Sequence, residues 1–154
     1  MGVRSDRRWD FDASSTEVWT ALTDVAHYRS WWPWLRRFDA TAFAQGERWH
    51  CTVKPQFPYS VRFDIVLETV VDGQLAVAHV DGDLTGWARV SITDDLDGCQ
   101  LRLISDLEAV GGPARMIARL APGLAAAGHD WVIDRGIRQF RASALAAPTR
   151  ERDQ

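Results

Sequence analysis

Residues Arg7–Leu22, RRWDFDASSTEVWTAL, compress a strand, a helix cap and a helix start into one short run. Arg7 to Phe11 alternate polar and apolar, which suits an opening strand with Trp9 and Phe11 on one face. Ser14–Glu17, SSTE, has the form of a capping box, with Ser14 accepting from the Glu17 amide and the Glu17 side chain reaching back to Ser14. Val18, Trp19 and Leu22 give the following short helix an apolar face. Thr23 or Asp24 is placed to cap a second short helix, predicted to run through Ser30. It empties into Ser30–Leu35, SWWPWL, where Pro33 cannot continue a helix and pushes Trp32 away from helical geometry. Three indoles at such an exit cannot share one core position. At least one is expected at the solvent or at a pocket mouth, where an indole keeps its N–H wet while its ring buries apolar area.

Beyond this corner the pattern is β. ERWHCTV places Trp49, Cys51 and Val53 on one face, and VRFDIVLE sets Val61, Phe63, Ile65 and Leu67 opposite Arg62, Asp64 and Glu68. Asp72-Gly73 and Asp81-Gly82 each separate apolar runs as hairpin turns. GWARVSIT, the turn DDLDG and CQLRLISDLE follow, the last with Cys99, Leu101, Leu103 and Leu107 in register. Strands joined in sequence order by tight turns make an antiparallel meander. Pro113 then opens a short helix, ARMIARL, which breaks at Pro122-Gly123. A long helix is predicted from Leu124 to Ala146, with Ile133, Ile137, Phe140 and Ala144 on its apolar face.

The fold class is therefore α+β: a strongly curved antiparallel sheet wrapped around one long C-terminal helix, with two short helices after the first strand. A single helix cannot fill such a sheet, so an internal apolar cavity is expected between them. The chain of 154 residues is long enough for one domain, expected over residues 1–147 with a polar tail at 148–154. A net charge of −3 offers no excess of positive charge to nucleic acid. No apolar run is long enough for a membrane span, and MGVRSDRRWD lacks a signal-peptide core. Cys51 and Cys99 have no metal or redox spacing, so they are expected reduced, in a cytoplasmic setting. None of His27, His50, His79 and His129 joins a second ligand in a compact metal-binding motif, and no metal or cofactor is expected.

The opening run Arg7–Leu35, the Gly86-Trp87 strand start, DLDGCQLRL and the terminal WVIDRGIRQFRASAL together resemble the START-like (SRPBCC, birch-allergen-like) helix-grip superfamily. The similarity is greatest to its polyketide cyclase/dehydrase-like branch and covers about Ser5 to Leu145. It implies a deep cavity for a hydrophobic or aromatic small molecule, as in lipid carriers, polyketide aromatases/cyclases and hormone binders. It implies no shared catalytic signature, and among chaperone-cofactor relatives it implies protein docking instead.

Candidate ligand-lining residues follow from strand parity and helix position. Trp31, Trp32 and Trp34 stand at the expected mouth; Trp49, Cys51, Phe63, Ile65, Leu101 and Leu103 lie on inward strand positions. Val77 and His79 share parity with Leu75 and are expected inward, unless the register before Asp81-Gly82 slips by one residue. Met116, Leu120 and Trp131 are expected on the helical floor. Three functions fit: binding of a lipid, polyketide or aromatic ligand, cyclase-like proton transfer in the same pocket, or protein docking through the Trp cluster. For proton transfer the candidates are His50, His79, Tyr59, Arg62, Arg89 and Asp64, although parity turns Arg62, Asp64 and Arg89 outward. The oligomeric state is left open.

Overall fold

The computed structural model describes residues 2–55 and 59–145. Strand β1 (Gly2–Phe11) leads into α1 (Ser15–Leu22), a turn of tighter helix (Val25–His27) and α2 (Tyr28–Trp31). Strands β2 (Leu35–Asp39), β3 (Arg48–Val53), β4 (Val61–Val71), β5 (Leu75–Gly82), β6 (Leu84–Asp94) and β7 (Cys99–Ala109) follow. Helices α3 (Gly112–Leu120) and α4 (Pro122–Ala144) close the described chain. The expected tail at 148–154 and the predicted helix end at Ala146 lie outside the described residues.

The seven strands form one antiparallel sheet in the order β1-β7-β6-β5-β4-β3-β2. The chain meanders from β2 to β7, and β1 then pairs with β7 at the far edge, Phe11 opposite Cys99 and Val3 opposite Leu107. The Ser14 hydroxyl caps α1 as its spacing predicts, accepting from the Glu17 amide at 3.2 Å. Thr23 does not cap a second helix; its hydroxyl instead donates to the carbonyl of Trp19, closing the end of α1. Asp24 precedes the Val25–His27 turn without a side-chain cap. Pro122 begins α4 directly, since a proline loses nothing in a first turn, where its amide would lack a partner anyway.

Register settles which side chains face the helices. Opposed residues in antiparallel strands share a face, so the chain of partners from Phe11 defines the inner one. Cys99, Leu101 and Ile92 lie along it, and so do Val90, Ala76, Ala78 and Val80. Val77 and His79 are therefore on the outer face, and His79 is exposed opposite Trp87. This corrects the inward placement of both. Both faces of β5 are apolar, and its larger side chains, Leu75 and Val77, lie on the outer one; the connection after it also departs from expectation. Gly82 still pairs with Phe63 and Val80 pairs with Gly86, so Asp81–Thr85 form a wider link than a two-residue hairpin. A second irregularity falls between Leu67 and Thr69 and resets parity along β4.

Gly86 is required where β6 begins. Its φ is 145°, and an added Cβ would stand 1.9 Å from the Asp106 carbonyl oxygen. The core centres on Phe140, 2% exposed, whose ring meets Phe11 and Trp31 edge-on at 6.0 and 5.6 Å. Urea unfolding of Phe140→Ala is expected to show a loss of about 3–5 kcal/mol. Gly86→Ala is expected to cost at least about 2 kcal/mol in the same measurement, by strain and not by lost contacts.

Candidate functional site

The inner face of the sheet is packed at one end and open at the other. Phe11, Cys99, Leu101, Ile92, Ala76, Leu67 and Trp49 are buried where α1, α2 and the second half of α4 cover them. Further along the same strands, Trp9, Leu103, Leu107, Val90, Ala88, Ile65 and Phe63 are only half-buried. Helix α1 packs closely on β6, and α3 on β4 and β7, whereas the close backbone neighbours of α4 are α2 and α3. The long helix thus spans the sheet through its side chains. The inner-face residues away from that packed end keep partial solvent access.

The tryptophan cluster fixes that geometry. Trp31 is buried against Tyr28, Trp32 and Phe140. Trp32 and Trp34 stack at 5.6 Å, and their indole N–H groups donate to the Gly136 carbonyl and to Gln139 of α4 at 2.9 and 2.8 Å. All three rings hold helices, with Trp32 and Trp34 keeping partial exposure. Trp49 is likewise structural: its N–H donates to the Ala42 carbonyl, and its ring meets Tyr28, Phe38 and Phe43. Cys51 and Leu101 are buried on the inner face, and burial pushes the Cys51 thiol up to about 12, so it is an inert apolar group here. Cys51 and Cys99 are free, with β4, β5 and β6 between their strands.

Phe63, Ile65 and Leu103 are the sequence candidates at the open end of the inner face. Met116 and Leu120 are not with them. They are 63% and 80% exposed, because α3 turns Ala114 and Ile117 inward against Tyr59 and Val61. Trp131 also leaves the floor. It sits away from the Gly136–Phe140 side of α4, with the Arg135 guanidinium 5.4 Å above its ring. The buried side of α4 runs through Val132, Gly136, Ile137, Phe140 and Ala144 rather than centring on Ile133.

Three polar residues at the open end escaped the sequence reasoning. Arg7 lies on the inner face of β1 opposite Leu103; it donates to Asp130 at 2.8 Å and also bonds Asp134, tying β1 to α4. Ser105, 3% exposed, lies on the inner face of β7 between Ser5 and Ala88, and its Oγ has no hydrogen-bond partner among the described residues. His129 falls two turns before Gly136 on the buried side of α4, and its buried Nδ1 has no hydrogen-bond partner among the described residues. Parity was the available signal: Ser105 sits between Leu103 and Leu107, Arg7 two residues before Trp9, and His129 four before Ile133.

Burial pushes His129 below the ordinary imidazole range. Asp130, 3.7 Å from Nδ1 and too far for a hydrogen bond, opposes that effect, and Arg7 reinforces it. The proton-transfer candidates lie elsewhere. His79, Arg62 and Arg89 are exposed on the outer face. His50 and Arg48 both engage Asp64 there, at 2.7 and 2.9 Å. Desolvation acts to raise Asp64, but these two hydrogen bonds outweigh it and hold the carboxyl below its usual range. Tyr59 is buried under α3, which raises its pKa.

Two grooves open on the outside. Among the described residues, one of about 400 Å³ is lined by Arg37, His50, Cys51, Arg62, Phe63 and Asp81, and another, of about 610 Å³, follows the outward side of α3. Among the described residues no helix is long and apolar enough to cross a membrane.

A lowered imidazole pKa has a defined sign. Below the unfolded value of 6.5 the unfolded chain takes up the His129 proton before the folded chain does. Stability therefore falls as pH drops from 6.5 toward the folded midpoint, and the His129 contribution is flat above 6.5. Urea midpoints across this range should show wild type losing stability relative to His129→Leu as the solution is acidified.

Comparison with known proteins supports the same architecture. A family model described as polyketide cyclase/dehydrase and lipid transport matches residues 3–144. No curated protein sequence matches the chain. Among solved structures, the Zhui aromatase/cyclase of Streptomyces superposes with a TM-score of 0.70 at 14% identity, covering 97% of this chain and 95% of that one. A conserved protein from Geobacillus kaustophilus gives 0.70 at 12% identity, covering 94% and 95%. Norcoclaurine synthase from Thalictrum flavum, in complex with dopamine and hydroxybenzaldehyde, gives 0.61 at 11%, covering 93% and 88%. Identities this low speak for the fold alone. With the family model spanning nearly every described residue, the chain belongs to the polyketide cyclase/dehydrase and lipid transport family of the SRPBCC superfamily.

Proposed function

We propose that this protein binds a hydrophobic small molecule, of lipid, polyketide or aromatic type, between the first half of α4 and the open end of the sheet. The observation that carries this reading is the half-burial of Phe63, Ile65, Val90, Leu103 and Leu107 on a face that a helix overlies. Apolar walls that keep contact with solvent gain about 25 cal/mol for each Å² a ligand covers. Family membership supports the same class of ligand.

Binding is favoured over turnover because His50, His79, Arg62, Arg89 and Asp64 all belong to the outer face. Docking through the tryptophan cluster is disfavoured because Trp31 is buried and the N–H groups of Trp32 and Trp34 are already bonded to α4.

Native mass spectrometry of gently purified protein is expected to show an added small-molecule mass. Nile red, an uncharged apolar dye, should bind the emptied protein. Ala88→Trp, which puts an indole on the inner face between Ala78 and Ser105, should weaken that binding about tenfold or more. The outward substitutions Met116→Ser and Leu120→Ser should leave it unchanged. Nile red affinity that follows Met116 and Leu120 and ignores Ala88 would place binding on the α3 groove and sink the proposal.

A further inference from the structure

The geometry points to a neutral hydrogen-bonding anchor inside this cavity, formed by Ser105 and His129, that selects ligands bearing an uncharged oxygen over hydrocarbons and over carboxylates. The inference rests on the cavity reading above and adds the chemistry of the ligand's polar end.

Two observations carry it independently. Ser105 is 3% exposed on β7, and its hydroxyl finds no partner among the described residues. On the facing side, α4 presents His129, whose Nδ1 is buried and equally without a partner. An unmade hydrogen bond of this kind costs about 1–3 kcal/mol, and native interiors rarely leave such groups unpaired. Here one belongs to the inner face of the sheet and the other to the helix that overlies it. Arg7 links the walls, because it lies on the Ser105 side of the sheet and grips Asp130, the residue next to His129.

The anchor's charge follows from its neighbours. The cation at this end is Arg7, and it is already held by two carboxylates, Asp130 and Asp134. A ligand carboxylate entering here would find Arg7 already engaged, and burying it unpaired is costly. A hydroxyl donates and accepts, as does the serine hydroxyl, while a neutral imidazole nitrogen takes either role according to tautomer. A carbonyl oxygen accepts from both. The fitting class is therefore an alcohol, phenol or ketone on an apolar or aromatic frame.

The test is calorimetry on the full chain with naphthalene, naphthol and naphthoate as probes. Naphthol is expected to bind about five- to tenfold tighter than naphthalene, the worth of one net hydrogen bond, and naphthoate weaker than naphthol. Ser105→Ala should bring naphthol to within about twofold of naphthalene while naphthalene affinity holds. Because the substitution removes an unpaired hydroxyl, it should leave stability unchanged or raised. His129→Leu should act in the same direction, and Ser105→Ala alone decides the matter if that variant does not fold. Equal binding of naphthalene and naphthol to wild type, tightest binding of naphthoate, or a naphthol preference that survives Ser105→Ala would each overturn the anchor and leave the cavity reading standing. Failure of all three probes to bind would overturn both.

Discussion

The position of α4 depends on one clamp, and the rest of the interior follows from it. Trp31, Trp32 and Trp34 leave α2 around Pro33 and close on the second half of the long helix, two of them through indole hydrogen bonds to Gly136 and Gln139. Phe140 completes the grip by wedging between Trp31 and Phe11, so the clamp reaches the first strand. Aromatic pairs of this type add about 0.5–1.5 kcal/mol each beyond the area they bury. The helix is thereby held firmly at one end, through helix and loop residues more than through the sheet.

Space at the other end is a consequence of that arrangement together with the choice of side chains. Ala76, Ala78, Gly86, Ala88 and Ser105 occupy the middle of the inner face, while Leu75, Val77 and Trp87 sit outside. Inner positions on a curved sheet converge, so small residues there relieve crowding near the clamp and leave volume away from it. Bulky residues at the same positions would have made a solid core. The open end is lined by Leu103, Val90, Ile65 and Phe63, and among the described residues Arg7, Ser5 and Ser105 share that inner face.

Charges are divided between the two faces in a corresponding way. Outside, Arg102 pairs with Asp6, and Arg48 and His50 pair with Asp64, exposed interactions that contribute little to stability. On the inner side of β1, Arg7 reaches two carboxylates of α4 that are themselves more than half exposed. That bridge joins β1 to α4 and neutralises the Arg7 charge.

The order of elements, the α1 cap, the helix exit at Pro33 and the meander with its terminal helix were all legible in local sequence, because caps, prolines and period-two alternation act within a few residues. Parity also held wherever one face was clearly larger and more apolar, as for Trp49, Cys51 and Val53. It failed on β5, where both faces are apolar and the larger side chains, Leu75 and Val77, lie outside. It failed on α3 for a related reason, since Ala114 and Ile117 face in and Met116 and Leu120 face out. Ser105 and Arg7 are not marked as site residues by the sequence, and His129 is marked only as an unsupported metal ligand, because a polar residue at an apolar position carries no local sign of what lies opposite. Sequence alone thus determined the family's architecture and the apolar character of its interior. Only the tertiary structure decided which face each strand turns inward and which polar groups meet beneath α4, because register and helix stand-off are set by partners far along the chain.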